Sequence, residues 1–343
     1  MDKQRSASGK QIALWGVFLF CLAAVGLLGW FFHYAEKSAA GMTDETVVLV
    51  IPRGSGVKEI NTILAAAGLV QEDSRFIFLA RYLGLSHTLQ AGEFALHRGQ
   101  NPEQLLRELA QAKPIQHAIT ISEGLTVEQI GGIFSKGGWC DVKEFVRLAE
   151  SVDFLSTLGL SQYATLEGYL YPDTYYLTRK GQDTADILRM MVKHYFTVWE
   201  QLEVPEKYEY SPREVLILAS MVEKEAGRAE ERPLIAGVFL NRLRRGMRLQ
   251  SDPTVIYGIK NFSGRLSKKN LRTPSPYNTY IIKRLPATPI CNPGEDALAA
   301  VLWPVKSAYL YFVSKRNGRH YFSKTLREHN RAVQKYLRSS KKN

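Results

Sequence analysis

Cysteine is scarce in this chain, with three in 343 residues, at positions 21, 140 and 291. That excludes a disulfide scaffold; Cys140 and Cys291 are free either to pair or to remain thiols. No glycine-rich stretch ends in Gly-Lys-Ser or Gly-Lys-Thr, so a P-loop phosphate cradle is excluded. No Gly-x-Ser-x-Gly elbow is present either. The seven histidines are scattered without metal-ligand spacing, and His320 and His329 read as structural. Neither a metal nor a cofactor is called for. Acidic side chains are the minority, 33 against 45 basic ones, leaving a net charge of +12. Such a surplus suits an acidic partner. For domains outside a membrane, anionic headgroups or an acidic glycan fit better than nucleic acid. The plainer reading is that a basic tail, with Arg338, Lys341 and Lys342, keeps the surface solvated.

One long hydrophobic run is present. Residues 12–32 carry no charge over 21 positions, enough to span a bilayer core of roughly 30 Å as a helix. Lys3, Arg5 and Lys10 precede it against Asp2 alone, while Glu36 and Lys37 balance behind it. The positive-inside rule then keeps the N-terminus in the cytoplasm and exports the rest. Trp15, Trp30, Phe31 and Phe32 lie near the two ends, as interfacial aromatics do. The run is too long for a signal-peptide core, and no clear cleavage site follows before Ser38-Ala39-Ala40, so an uncleaved anchor is expected.

Beyond the anchor the chain echoes itself at an offset of 70 residues. Residues 50–60 (VIPRGSGVKEI) match residues 120–130 (TISEGLTVEQI), each a short strand, a glycine turn and an amphipathic helix. Two copies suggest a duplicated βα unit rather than a solenoid. The first copy continues with a helix over 74–83, a strand over 89–96 and a helix from Asn101-Pro102-Glu103, a β-α-α-β order typical of small carbohydrate modules. The second leads into the tyrosine-dense run 166–176, which reads as packing before it reads as a sugar platform. Helices are expected over 183–199, over 231–244 up to Gly246, and over 325–337. The segments 309–313 and 319–322 around Arg316-Asn317-Gly318 predict a hairpin.

The informative segment is residues 211–227. Ser211 caps a helix, Pro212 takes its first position and Glu214 completes a capping box. Val215, Leu218, Ala219, Val222 and Ala226 make the buried stripe. Glu223 and Glu225 flank that stripe on opposite sides. Glu223 has only small neighbours one turn away, Ala219, Ser220, Ala226 and Gly227, so another molecule can approach it. Glu225 has Met221 behind it and Arg228 ahead, an ordinary ion-pair spacing. Carboxylates with abundant Tyr, Asn and Gln are the composition of a glycan-cleaving site, and ordinary glycosidases need two carboxylates. Asp252 is the candidate second acid, although before Pro253 it also reads as a turn residue.

Several long motifs in order are similar to the YceG-like endolytic murein transglycosylases, the MltG family. They are LEGYLYPDTYY (166–176), ASMVEKEA (219–226), NRLRRGMRLQSDPTVIYG (241–258), SPYNTY (275–280), ATPICNPG (287–294) and YLYFV (309–313). The resemblance covers most of the chain; Cys291 is a departure from the family pattern. It implies that Glu223, the first Glu of the run, is catalytic. It also explains the missing second carboxylate. A lytic transglycosylase protonates the glycosidic oxygen between MurNAc and GlcNAc, then withdraws the proton of the MurNAc 6-hydroxyl. That oxygen attacks its own anomeric carbon and leaves a 1,6-anhydro end, so one Glu suffices. Gln250, Tyr277, Asn278 and Tyr280 are the candidates for holding the sugar or orienting the acid, with Glu225 and Asp252 in support.

The expected fold is α+β. The boundaries are a cytoplasmic tail (1–11), a transmembrane helix (12–32), a tether (33–46), a LysM-like subdomain (47–117) and a YceG-like catalytic domain (118–343). The resemblance implies cutting of nascent peptidoglycan strands at the outer face of a bacterial inner membrane, which terminates strand elongation. The bilayer and the glycan strands are partners, no nucleic acid is, and shared location points to the penicillin-binding synthases. The competing class is a membrane-anchored glycan-binding scaffold without catalysis.

Overall fold

The computed structural model describes residues 2–38, 45–179, 182–260 and 262–338. Residues 39–44 of the expected tether and Lys341 and Lys342 of the basic tail lie outside the described residues, as do the side chains of Lys3, Arg5, Lys10 and Arg338. The fold is mixed α and β, as expected, and divides into two compact units. One comprises residues 1–118 and 176–182, the other residues 119–175 and 183–343. The chain crosses between them within two short strands, β3 (His117–Thr120) and β4 (Thr174–Leu177).

The first unit starts with α1 (Asp2–Glu36), 35 residues long. Its segment Leu14–Glu36 is long and apolar enough to cross a membrane. Strands β1 (Thr46–Ile51) and β2 (Gly92–His97) pair antiparallel, with Thr46 opposite His97 and Ile51 opposite Gly92. Between them lie α2 (Val57–Ala66) and α3 (Ser74–Tyr82), which gives the β-α-α-β order read from the sequence. Helix α4 (Pro102–Gln111) follows, opened by a capping box between Asn101 and Gln104 with Pro102 in its first turn. Ile60, Leu64, Phe76, Leu79, Phe94 and Leu106 form the dry centre, with Tyr34 and Ala35 of α1 in the same cluster. The expected tether from residue 33 is therefore corrected: α1 runs on to Glu36 and its last turn is part of this core.

The second unit is mainly helical. Its first helices are α5 (Val127–Lys136), α6 (Val142–Ala149), α7 (Val152–Thr157) and α8 (Thr184–Gln201). Then come α9 (Pro212–Glu225), α10 (Arg232–Arg244), the short α11 (Asp252–Tyr257) and α12 (Glu295–Leu302). A hairpin of β5 (Tyr311–Ser314) and β6 (His320–Ser323) and helix α13 (Leu326–Val333) close it. Arg316 (φ 66°) and Gly318 (φ 77°) take the left-handed turn positions of the hairpin.

Helix α9 begins as the sequence requires. The Ser211 amide donates to the Glu214 carboxylate at 2.9 Å and the Glu214 amide returns to Ser211 Oγ. The expected single apolar stripe is corrected, because residues 215–222 are buried on every side. Helices α10, α11 and α12 all pack on α9, and a helix covered all round needs no polar face. The two glutamates stand where that burial ends, in the last turn.

Candidate active site

Glu223 and Glu225 leave α9 in different directions, and their surroundings differ in kind. Arg232 donates to Glu223 Oε1 at 2.9 Å, and the Gly294 amide donates to Oε2 at 3.2 Å. The same guanidinium reaches Glu123 at 2.9 Å and Asp296 at 3.2 Å. Arg232 and Glu223 are both deeply placed, with side chains 13% and 7% exposed. Glycine is required at 294, since a Cβ there would meet a Glu123 oxygen at 1.9 Å. Glu223 is thus engaged on both oxygens as a charge-balanced partner.

Glu225 faces a cleft of about 360 Å³ together with Gln250, Asp252, Tyr280, Tyr311 and His329. Glu223 does not line this cleft. Burial pushes the Glu225 carboxyl up to about 7, against the pull of the Ser251 hydroxyl and with the Asp252 charge adding to the rise. Ser251 Oγ donates to Glu225 Oε1 at 2.6 Å. It is fixed in turn by its own amide, which donates to Thr279 Oγ1 at 2.9 Å. Beside it Gln250 has φ 49°, a conformation that side-chain-bearing residues avoid, and the Thr279 carbonyl holds its amide at 3.1 Å. Strained backbone of this kind gathers at functional sites.

Asp252 opens α11, and Tyr280 OH donates to its Oδ1 at 2.6 Å. Its turn position and its place in the cleft are therefore the same fact. Arg242 braces one wall: it donates to the Leu310 carbonyl at 2.6 Å and to the Leu249 carbonyl at 2.7 Å, and lies 5.2 Å from the centre of the Tyr311 ring. The cleft thus joins a carboxyl that exchanges its proton near neutrality with a second carboxylate and several sugar-compatible polar and aromatic side chains.

Of the expected sugar contacts, Gln250, Asp252 and Tyr280 come together with Glu225. Tyr277 and Asn278 do not. Asn278 is 1% exposed and its amide donates to the carbonyls of Asn270, Leu271 and Thr273, so it knits the loop. Tyr277 OH meets Thr288 Oγ1 at 3.1 Å and its ring packs edge-on to Tyr257. In this structure both side chains bond within the loop framework and neither lines the Glu225 cleft.

The sequence reading passed over Ser251, Arg242, Arg232 and Glu167. Glu167 is 3% exposed, and burial raises its carboxyl to about 8. It accepts from Asn292 Nδ2 at 2.9 Å, from Tyr257 OH at 3.0 Å and from the Val127 amide. Asn292 also accepts from the Leu170 amide and donates to the Leu125 carbonyl, so this pair ties three loops behind α9. In the tyrosine run, Tyr169, Tyr171 and Tyr175 are buried and serve as packing, while Tyr176 is 58% exposed.

Comparison with known proteins follows the same motifs. A family model described as YceG-like family matches residues 49–335. An endolytic murein transglycosylase of Bacillus subtilis is 34% identical over 309 residues, covering 86% of each chain. An endolytic murein transglycosylase of Streptococcus pneumoniae is 30% identical over 360 residues, covering 94% of this chain and 64% of the longer relative. The crystal structure of a yceG-like protein from Listeria monocytogenes superposes with a TM-score of 0.58 at 32% identity. It covers 84% of this chain and all of that one.

Proposed function

The chain belongs to the YceG-like family, and on that premise we propose that it is a membrane-anchored endolytic murein transglycosylase, a lyase whose acid–base group is Glu225. The observation that carries this is the Glu225 cleft: one carboxyl raised to about 7, open to solvent space and held by a single hydroxyl. A general acid is most effective when its pKa lies near the working pH, and here both forms are populated near neutrality. Protonated Glu225 gives its proton to the oxygen linking MurNAc to GlcNAc as the C1–O bond breaks. The resulting carboxylate takes the proton of the MurNAc 6-hydroxyl, whose oxygen bonds to C1 and closes the 1,6-anhydro ring. No water enters, and Glu225 ends as it began. Asp252, fixed by Tyr280, contributes negative charge beside the cationic sugar that forms in between. Gln250 and Tyr280 are placed to hold the sugars.

Glu223, first expected to be the acid, is reassigned to structure. Both of its oxygens are taken, one by the Arg232 guanidinium and one by the Gly294 amide, and it does not line the cleft that Glu225 faces.

The remaining parts of the reading are consistent with that chemistry. Helix α1 anchors the protein in the bacterial cytoplasmic membrane, and Lys3, Arg5 and Lys10 favour a cytoplasmic N-terminus with both units in the periplasm. The β-α-α-β unit is LysM-like. The substrate is the nascent glycan strand, cut internally, which terminates its elongation beside the synthases that make it. The test is mass spectrometry of products from uncrosslinked glycan strands. Internal fragments with anhydro ends are expected. Reducing ends would mean hydrolysis, and binding without products would mean a scaffold; either overturns the proposal.

A further inference from the structure

The last turns of α1 are built into the first unit. The Arg75 guanidinium lies 4.1 Å from the centre of the Trp30 ring and 4.5 Å from that of Tyr34. It donates to the Trp30 carbonyl at 3.3 Å and is aimed there by Asp73, which it meets at 2.6 Å. On the same side the Tyr82 ring meets Phe31 and Phe32 edge-on, with centroids 6.3 and 6.1 Å apart. A cation held between two rings, a buried Tyr34 and this aromatic cluster together fix α3 against α1.

Helix α3 is apolar on two sides. Phe76, Leu79 and Ala80 face the core. Phe78 and Tyr82, one turn apart and therefore on one face, are 57% and 68% exposed. Phe32 beside them is 43% exposed. Large apolar side chains exposed side by side mark a contact surface. Its occupant follows from where it begins. Counting from Ile12, where the uncharged run begins, Phe32 lies about 30 Å along the helix at 1.5 Å per residue. That is the far edge of a hydrocarbon core of roughly 30 Å. Tyr82, in contact with Phe31 and Phe32, stands at headgroup level, where amphipathic rings are favoured. The exposed face of α3 is therefore continuous with the lipid-facing surface of α1.

We propose that the first unit rests on the membrane, with Phe78 and Tyr82 of α3 set into the boundary between headgroups and acyl chains. This rests on α1 spanning the bilayer, as read above. The unit is then a collar fixed in height at the lipid surface.

The test uses the full chain in nanodiscs of phosphatidylethanolamine and phosphatidylglycerol, with single cysteines carrying a fluorophore. Cys21 and Cys140 are replaced by Ser for the other sites, while Cys291 is buried. Phe78→Cys tests the proposal, Val152→Cys, 65% exposed on the second unit, is the aqueous reference, and native Cys21 is the bilayer reference. All are exposed positions, so labelling removes no core contact. The expected result is strong quenching at position 78 by lipids bearing a doxyl group near the headgroup, none at 152, and quenching of Cys21 by deep doxyl groups. Position 78 behaving like 152 while Cys21 is quenched overturns the collar and leaves the anchor standing. Protection of 78 from aqueous iodide without lipid quenching assigns the face to a protein contact and also overturns it. If Cys21 escapes quenching, the anchor falls and the collar with it.

Discussion

The Ser251 hydroxyl donates to the Glu225 carboxylate at 2.6 Å and, among the described residues, is the one hydrogen bond that favours its charged form. Two residues earlier on the same helix, Glu223 is held by a guanidinium and an amide. A two-residue step on α9 thus separates a carboxyl that faces the cleft, raised by burial to about 7, from one whose two oxygens are engaged by Arg232 and Gly294.

Ser251→Ala removes the bond that lowers the Glu225 pKa. The acid then holds its proton to higher pH, and the alkaline limb of kcat/KM should move up by about one pH unit. If Glu225 is the acid as proposed, it must be protonated to act, and activity is expected to fall as pH rises past about 7 in the unsubstituted enzyme. A pH–rate profile decides it. An unmoved alkaline limb would show that Ser251 does not tune the acid.

Arg232→Gln tests the structural role of Glu223. The substitution leaves a nearly buried carboxylate without its cation, and Glu123 and Asp296 lose the same partner. Since Glu123 and Asp296 are well exposed, solvent screens much of their loss. Destabilisation of about 2–3 kcal/mol is expected, carried mainly by Glu223. Urea denaturation measures it, and adding Glu223→Gln should restore part of the loss. A double variant less stable than the sum of both changes would contradict the pairing.

Glu167 makes stability depend on pH. Its folded-state value, about 8, stands above the ordinary glutamate value of 4.5, so the folded protein keeps a proton that the unfolded chain has released. The stabilisation is fully present below about 4.5 and is lost as pH rises through about 8, at up to about 1.4 kcal/mol per pH unit. Glu225 adds to this up to about 7. Glu167→Gln should flatten the decline between those limits, read as melting temperature against pH. Parallel curves for the two proteins would show that Glu167 is not protonated in the fold.

Much of this was legible in the sequence. The Ser211-Pro212-Glu214 start of α9 is local chemistry, as are the Arg316–Gly318 turn and the two glycine turns 70 residues apart. Gly54 and Gly124 indeed have φ of 86° and 76°. These features depend on neighbours in the chain. The motif set also led to the right family. What the sequence does not disclose is what distant partners decide. The small neighbours of Glu223 suggested access, but Arg232 and Gly294 fill that space. Arg228 seemed the partner of Glu225, which is instead bonded to Ser251, 26 positions on. Asn278 and Tyr277 read as sugar contacts because polar loop residues serve either role, and only packing reveals which. Glu167 stood inside a motif rich in tyrosine, with nothing local to mark a fully enclosed carboxyl.

The central claim is that Glu225 transfers the proton, and the paired amide variants test it directly. Glu225→Gln and Glu223→Gln each keep their side chain's shape, and folded protein from each is assayed for release of 1,6-anhydro products from glycan strands. General acid–base groups contribute about 10²–10⁴-fold. Loss of that order is expected for Glu225→Gln, with Glu223→Gln retaining turnover at reduced stability. An active Glu225→Gln beside an inactive but folded Glu223→Gln would contradict the account.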